Sequence, residues 1–267
     1  MKNSYGLICY RIRNNAIEYL FIKKRLTYYF TIFVLGNHLK MSEETIKYFL
    51  NNMTISEKIY LLSFNFDLLW YMIYLQTPTN TRVDVSKISP FQLVEYLDVN
   101  INPNFNKRCL FSSNKYSYYT KKKNQFNSFI RFNKNRIMRL IKNSKSVSTL
   151  WEVPKGRKNK NESMITCAIR EFNEETQLSK KSYLVLLNLP PVEECYNSDG
   201  VDYKNTYYVA KYTDEDDSHY LNITSLKQVV EISDVKWCSY KNIMQELNCI
   251  DSLKEVIKKT NAKLLCL

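Results

Sequence analysis

Acidic residues are scarce in this chain, 26 Asp and Glu against 39 Lys and Arg, and none stands between Asp98 and Glu152. Pairing signals for cysteine are also missing. The seven cysteines (Cys9, Cys109, Cys167, Cys195, Cys238, Cys249 and Cys266) are odd in number and scattered. They form no CxxC pair and no tight Cys/His cluster, which argues against a disulfide framework and a structural zinc site. A reducing compartment is therefore expected. Histidine is reduced to two isolated residues, His38 and His219, each read as a surface or hydrogen-bonded group. Long uncharged apolar runs are absent as well. MKNSYGLICYRIRNN meets Arg11 and Arg13 too early for a signal-peptide core, and IEYLFIKKRLTYYFTIFVL is broken by Lys23, Lys24 and Arg25. Neither secretion nor a membrane span is expected. No internal repeat occurs.

What remains is a composition that folds. The 267 residues are 45% hydrophobic and 14% aromatic, enough for one large domain or two smaller ones. The net charge of +13 is one block: residues 101–150 hold 12 basic and no acidic residues. A merely solubilising face carries interleaved acids, and this one also carries Tyr116, Tyr118, Tyr119, Phe126, Phe129 and Phe132. RNA or another polyanion is the better reading, with Lys121, Lys122, Lys123, Arg131, Lys134, Arg136, Arg139 and Lys142 as the contacts.

The chain starts as a β-hairpin, SYGLICYRI and IEYLFIKKR around RNNA, followed by a third extended run, YYFTIFVL, to Gly36. Helical spacing then takes over. MSEET has a Ser cap, MTISEK a Thr54/Glu57 capping box, and SFNFDLLWYMIYL an apolar helix ended by Pro78, with Trp70 read as core. Residues 77–120 are poorly patterned. QFNSFIRFNKNRIMRLIK places Phe126, Ile130, Ile137, Leu140 and Ile141 on one stripe of a basic amphipathic helix. Beyond 147 the pattern returns to α/β: TLWEVP, a helix from Ser163, strands near YLVLLNL, TYYVAKY and EISDVKW, and two helical pieces after Tyr240. The layout is an α/β domain (1–36 and 147–267) with an inserted, mainly helical RNA-binding domain (37–146).

On the helix from Ser163, Ile165, Ala168, Ile169 and Phe172 face inward, while Glu171, Glu174 and Glu175 share a second face. Like charges at such spacing cost roughly 0.2–0.5 kcal/mol per pair, and the helix C-terminus disfavours them further. Three clustered carboxylates suit Mg2+ or Mn2+. Upstream, PKGRKNKNE offers a glycine for close approach and the cations Lys155, Arg157, Lys158 and Lys160.

The run GRKNKNESMITCAIREFNEETQL resembles the Nudix box, G-x5-E-x7-R-E-U-x-E-E-x-G-U, over residues 156–178. It departs from the pattern at Gln177, where the family has glycine. The resemblance implies a Nudix fold, an α+β sandwich of a mixed sheet between helices, and pyrophosphate hydrolysis. It implies Glu171, Glu174 and Glu175 as catalytic acids and metal ligands, with Arg170 holding Glu171 and Glu162 supporting from the loop. The Lys155 carbonyl is a further implied ligand, and Lys155, Gly156, Arg157 and Lys158 would bind phosphate. A later acid is commonly recruited; Glu231 is the first candidate and Asp234 the second. WEVPKGR is similar to decapping-type members, above all those of large cytoplasmic DNA viruses. That likeness implies removal of the mRNA 5′ cap in the cytoplasm of a host, peripheral association with the rough endoplasmic reticulum, and a homodimer. Diphosphoinositol polyphosphates or dinucleoside polyphosphates are the alternative substrates, and a non-catalytic cap- or RNA-binding module is the alternative of another kind.

Overall fold

A computed structural model describes residues 1–36, 41–75, 113–198, 200–214 and 225–266. Its packing separates two units, Met1–Arg25 with Leu150–Leu267, and Leu26–Thr149. His38, Pro78, Cys109 and His219 lie outside the described residues, as does most of the 77–120 stretch.

The first unit is built on a mixed sheet. Strand β1 (Lys2–Arg13) pairs antiparallel with β2 (Ala16–Lys24) and parallel with β7 (Val201–Tyr212), whose register runs from Lys2↔Tyr203 to Tyr10↔Lys211. The short β3 (Trp151–Glu152) and the longer β8 (Ile232–Ser239) both pair with β2. Strand β4 (Lys155–Gly156) pairs with β1, and β5 (Tyr183–Val185) and β6 (Val192–Ser198) pair with β7. Period-2 alternation assigns the two faces. Leu7, Cys9, Leu20 and Ile22 pack with Phe172 on one side. Ile8, Tyr10, Tyr19 and Phe21 pack with Ile243, Leu253, Val256 and Ile257 on the other. The first layer is therefore α6 (Met164–Thr176) with α7 (Leu226–Glu231), and the second α8 (Tyr240–Gln245) with α9 (Asp251–Leu265). A mixed sheet between helices is the expected α+β sandwich. Strand β6 is one the sequence reading passed over, because VEECYNS carries its polar groups inward. Glu194 is buried and accepts from Asn205 Nδ2 (2.7 Å), Tyr207 OH (2.8 Å) and Ser252 Oγ (2.6 Å).

The second unit is helical: α1 (Tyr28–Leu35), α2 (Glu43–Asn51), α3 (Ile55–Leu62), α4 (Phe66–Tyr74) and α5 (Ser113–Lys142). The first of these corrects an expectation. YYFTIFVL, rich in β-branched and aromatic residues, reads as a strand but forms α1. Phe30, Phe33 and Val34 recur at helical spacing and enter the helical core beside Trp70, so tertiary packing overrides propensity. Thr27 caps α1 through Phe30 N–H. The capping box at Thr54 and Glu57 forms as expected, and the buried Glu57 carboxylate also accepts from Thr27 N–H and Oγ1. One side chain thereby serves two helix starts. Helix α5 buries the expected stripe, Phe126, Ile130, Ile137 and Leu140. Among the described residues no helix is long and apolar enough to cross a membrane.

Candidate active site

Four segments of the first unit converge: the end of β2, the β3–β4 loop, α6 and α7. Helix α6 starts at Ser163, whose side chain accepts from Thr166 N–H. Cys167, Ala168 and Phe172 fix it to the sheet, with Ile165 and Ile169 only half-buried. This orientation divides the three glutamates. Glu175 is 4% exposed, whereas Glu171 and Glu174 are half-buried.

Each acid has a protein partner. Arg170 bonds Glu162 through Nε (2.8 Å) and Nη2 (3.1 Å), Glu171 through Nη1 (2.7 Å), and reaches Glu174 (3.4 Å). Its Nη2 also donates to the Arg157 carbonyl (3.0 Å), tying the loop to the helix. Hydrogen bonding to Arg170 and to Asn159 N–H lowers the Glu162 pKa to about 2, and the same partner raises Arg170. Glu175 accepts from Lys24 Nζ (2.6 Å) and from Lys155 N–H (3.0 Å). Burial raises the pKa of both Glu175 and Glu171, opposed by Lys24 in the one and Arg170 in the other. Burial also opposes the Lys24 charge, but Glu175, Glu152 and Glu231 more than offset it, leaving that pKa above its ordinary value.

Glycine at 156 leaves the space that the Glu171 carboxylate fills. A β-carbon there would lie 2.1 Å from Glu171 Cδ, so the Glu171 carboxylate rests where any side chain would stand. At the other end of α6, Gln177 adopts the left-handed conformation (φ 59°, ψ 13°) that the family glycine serves. Its own amide compensates by donating to the carbonyls of Glu174 (2.9 Å) and Asn173 (3.3 Å).

Other expected site residues separate into groups. Glu231 comes to the site: its carboxylate lies 3.6 Å from Lys24 Nζ, and its backbone carbonyl accepts from Arg25 N–H (2.8 Å). Asp234 does not; it pairs with Lys23 in the β2–β8 register and accepts from Val235 N–H. The Lys155 ammonium is committed to Glu152, whereas Arg157 and Lys158 are exposed. On α5, Lys123 is bound to Asp67 (2.8 Å) and Arg136 to Glu43 (2.7 Å), with Arg139 near the same Glu43 (3.5 Å). Lys121, Arg131, Lys134 and Lys142 are exposed, and Lys122 is half-buried. The sequence reading missed Lys24, Glu152 and Gln228, whose Nε2 donates to the Glu175 carbonyl (2.9 Å). A signal for Lys24 was present, since a cation closing an apolar strand is costly unless an acid meets it.

Among the described residues no three His, Cys, Asp or Glu side chains stand together as a ready metal cage; Arg170 contacts Glu162, Glu171 and Glu174, while Lys24 contacts Glu175 and Glu231. The donor chemistry nevertheless fits a hard divalent cation. Glu171, Glu174, Glu175 and Glu231 are all carboxylates, and oxygen donors are what Mg2+ and Mn2+ take.

The family profile described as NUDIX domain matches residues 123–259. The chain belongs to the Nudix family. An mRNA-decapping protein, g5R, of African swine fever virus is 30% identical over 248 residues, covering 89% of this chain and 85% of that one. A protein named as a decapping protein of Acanthamoeba polyphaga mimivirus is 36% identical over 99 residues, 36% of this chain and 26% of its own. Among solved structures, a C. elegans Ap4A hydrolase is 13% identical, covers 100% of both chains and has a TM-score of 0.45. As a Nudix protein with its box intact at every acid, this chain is a pyrophosphohydrolase, and divalent metal use is general to the family.

Proposed function

We propose that this Nudix enzyme is an mRNA-decapping hydrolase. One water is consumed as the P–O–P bridge of the 5′ cap is cut, giving 7-methylguanosine diphosphate and RNA with a 5′-monophosphate. The observation that carries the reading is the acid-free α5, whose exposed cations exceed what a mononucleotide can engage. An RNA body behind the cap would use them through counterion release. Similarity along 89% of the chain to a protein named for decapping supports the same reading.

In this reading Glu174, Glu175 and Glu231 would hold a divalent ion, Mg2+ or Mn2+, with the Lys155 carbonyl as a further donor; such an ion would supply neutralisation of the charge that develops as the bridge is cut. Glu171, seated over Gly156 and held by Arg170, would take the proton of the attacking water. Arg157 and Lys158 orient the phosphates, and the reaction belongs to the cytoplasm.

The test is product analysis with cap-labelled RNA in Mg2+ or Mn2+. Labelled 7-methylguanosine diphosphate, formed faster at low salt and on longer RNA, is expected. Indifference to both variables would remove α5 from the substrate path. The exposed cations Arg157, Lys158 and Lys160 favour a second reading, hydrolysis of diphosphoinositol polyphosphates or dinucleoside polyphosphates; parallel turnover of these and capped RNA separates the two. Glu175→Gln tests whether the fold is catalytic at all, since full activity in that variant would leave only a binding module.

A further inference from the structure

Helix α5 presents aromatic rings to solvent as well as charge. Phe132 is 81% exposed and Tyr118 42%. Each has a cation over its ring: Arg131 lies 5.7 Å from the Phe132 centroid and Lys122 5.6 Å from that of Tyr118. A single exposed ring on a protein surface is ordinary. Here the placement is repeated along one line of the helix. At 3.6 residues per turn, Tyr118, Lys121, Phe132 and Arg139 fall within about 60° of each other, over roughly 32 Å of helix. Lys121 and Arg139 are exposed, so ring and cation alternate along that line with no acid on the helix itself.

We propose that this face of α5 binds single-stranded RNA, with unpaired bases stacked on Phe132 and Tyr118 and phosphates met by Lys121 and Arg139. The inference deepens the RNA reading above and rests on it. Chemistry selects the strand state. A duplex keeps its bases in its own stack and offers only backbone to such a surface, which would use the cations and leave both rings in water. A single strand offers phosphates and free base faces together, and aromatic platforms between cations suit both. Glu43, which lies near Arg139 Nη2, leaves that guanidinium 65% exposed, so the cation stays available.

The experiment measures binding of the full chain to oligoadenylate and to a blunt RNA duplex of equal length, across a salt series. Phe132→Ala is expected to weaken the single strand by roughly 5- to 150-fold, the span of one base–aromatic stack. Duplex affinity and the salt slope should stay put, and Phe132→Trp should restore single-strand binding. Equal losses on both RNAs, or no loss on either, overturn the stacking proposal. So does gel filtration in which Phe132→Ala converts a dimer to a monomer, because the ring would then belong to a contact between copies. Lys121→Gln with Arg139→Gln should lower the salt slope for both RNAs. If that pair changes nothing, the RNA reading of α5 itself falls, a failure distinct from loss of stacking. Because Phe132 is solvent-exposed, the variants should melt with the parent, which a thermal scan checks.

Discussion

The Glu171 carboxylate lies over the Cα of Gly156, so close that a β-carbon at 156 would meet Glu171 Cδ at 2.1 Å. Backbone space at 156 and the position of Glu171 are thus one feature. Gly156→Ala should displace Glu171 from Arg170 and lower kcat on a cap or dinucleotide substrate by about 100-fold, the usual cost of moving a catalytic group by roughly an ångström. Steady-state kinetics check it, and an unchanged kcat would mean Glu171 acts from another position.

Lys24 is the cation to which Glu175 is bound, their side chains 26% and 5% exposed. Removing one partner of such a pair leaves a buried charge uncompensated, at a cost toward the lower end of about 3–5 kcal/mol. Lys24→Met should lose that stability in urea melts. The double variant Lys24→Met/Glu175→Gln should recover much of it, and a double-mutant cycle without coupling would contradict the pairing.

At the end of α6, left-handed Gln177 carries strain of about 1–2 kcal/mol relative to glycine, and its amide gives back on the order of 1 kcal/mol through two carbonyls. Gln177→Gly should therefore be nearly neutral in thermal melts. Gln177→Ala keeps the strain, loses both bonds and should destabilise by about 1 kcal/mol. Neither substitution moves an acid, so turnover should persist in both.

The Glu162 carboxyl is held from its ordinary 4.5 down to about 2 by Arg170 and the Asn159 N–H. Its folded pKa is depressed, so this link contributes fully above pH 4.5 and is lost as pH falls toward 2. Carboxyl NMR should place the Glu162 titration near 2, moving back up in Arg170→Gln. A midpoint near 4.5 in the parent would show that the hydrogen bonds do not form.

The box was legible because α6 is local: cap, inward stripe and acids follow from spacing within one helix. The stripe of α5 was legible for the same reason. What escaped depends on partners distant in sequence. Lys24 finds Glu175 because β2 is clamped between β1 and β8, with a register irregularity at Lys23/Lys24, and such bulges re-aim side chains. Helix α1 was misread because its composition favours a strand while its core partners, invisible in its own eight residues, favour a helix.

Lys24 precedes the helical unit in the chain and Glu175 follows it, and the parallel partner of β1 arrives only at Val201–Tyr212. During synthesis, which proceeds from the N-terminus, the first hairpin must therefore wait with an unpaired edge while the whole helical unit emerges ahead of the strand that completes it. The candidate site is complete only after the helical unit has been made, so a chain stalled on the ribosome before Glu175 can carry α5 without the paired acids.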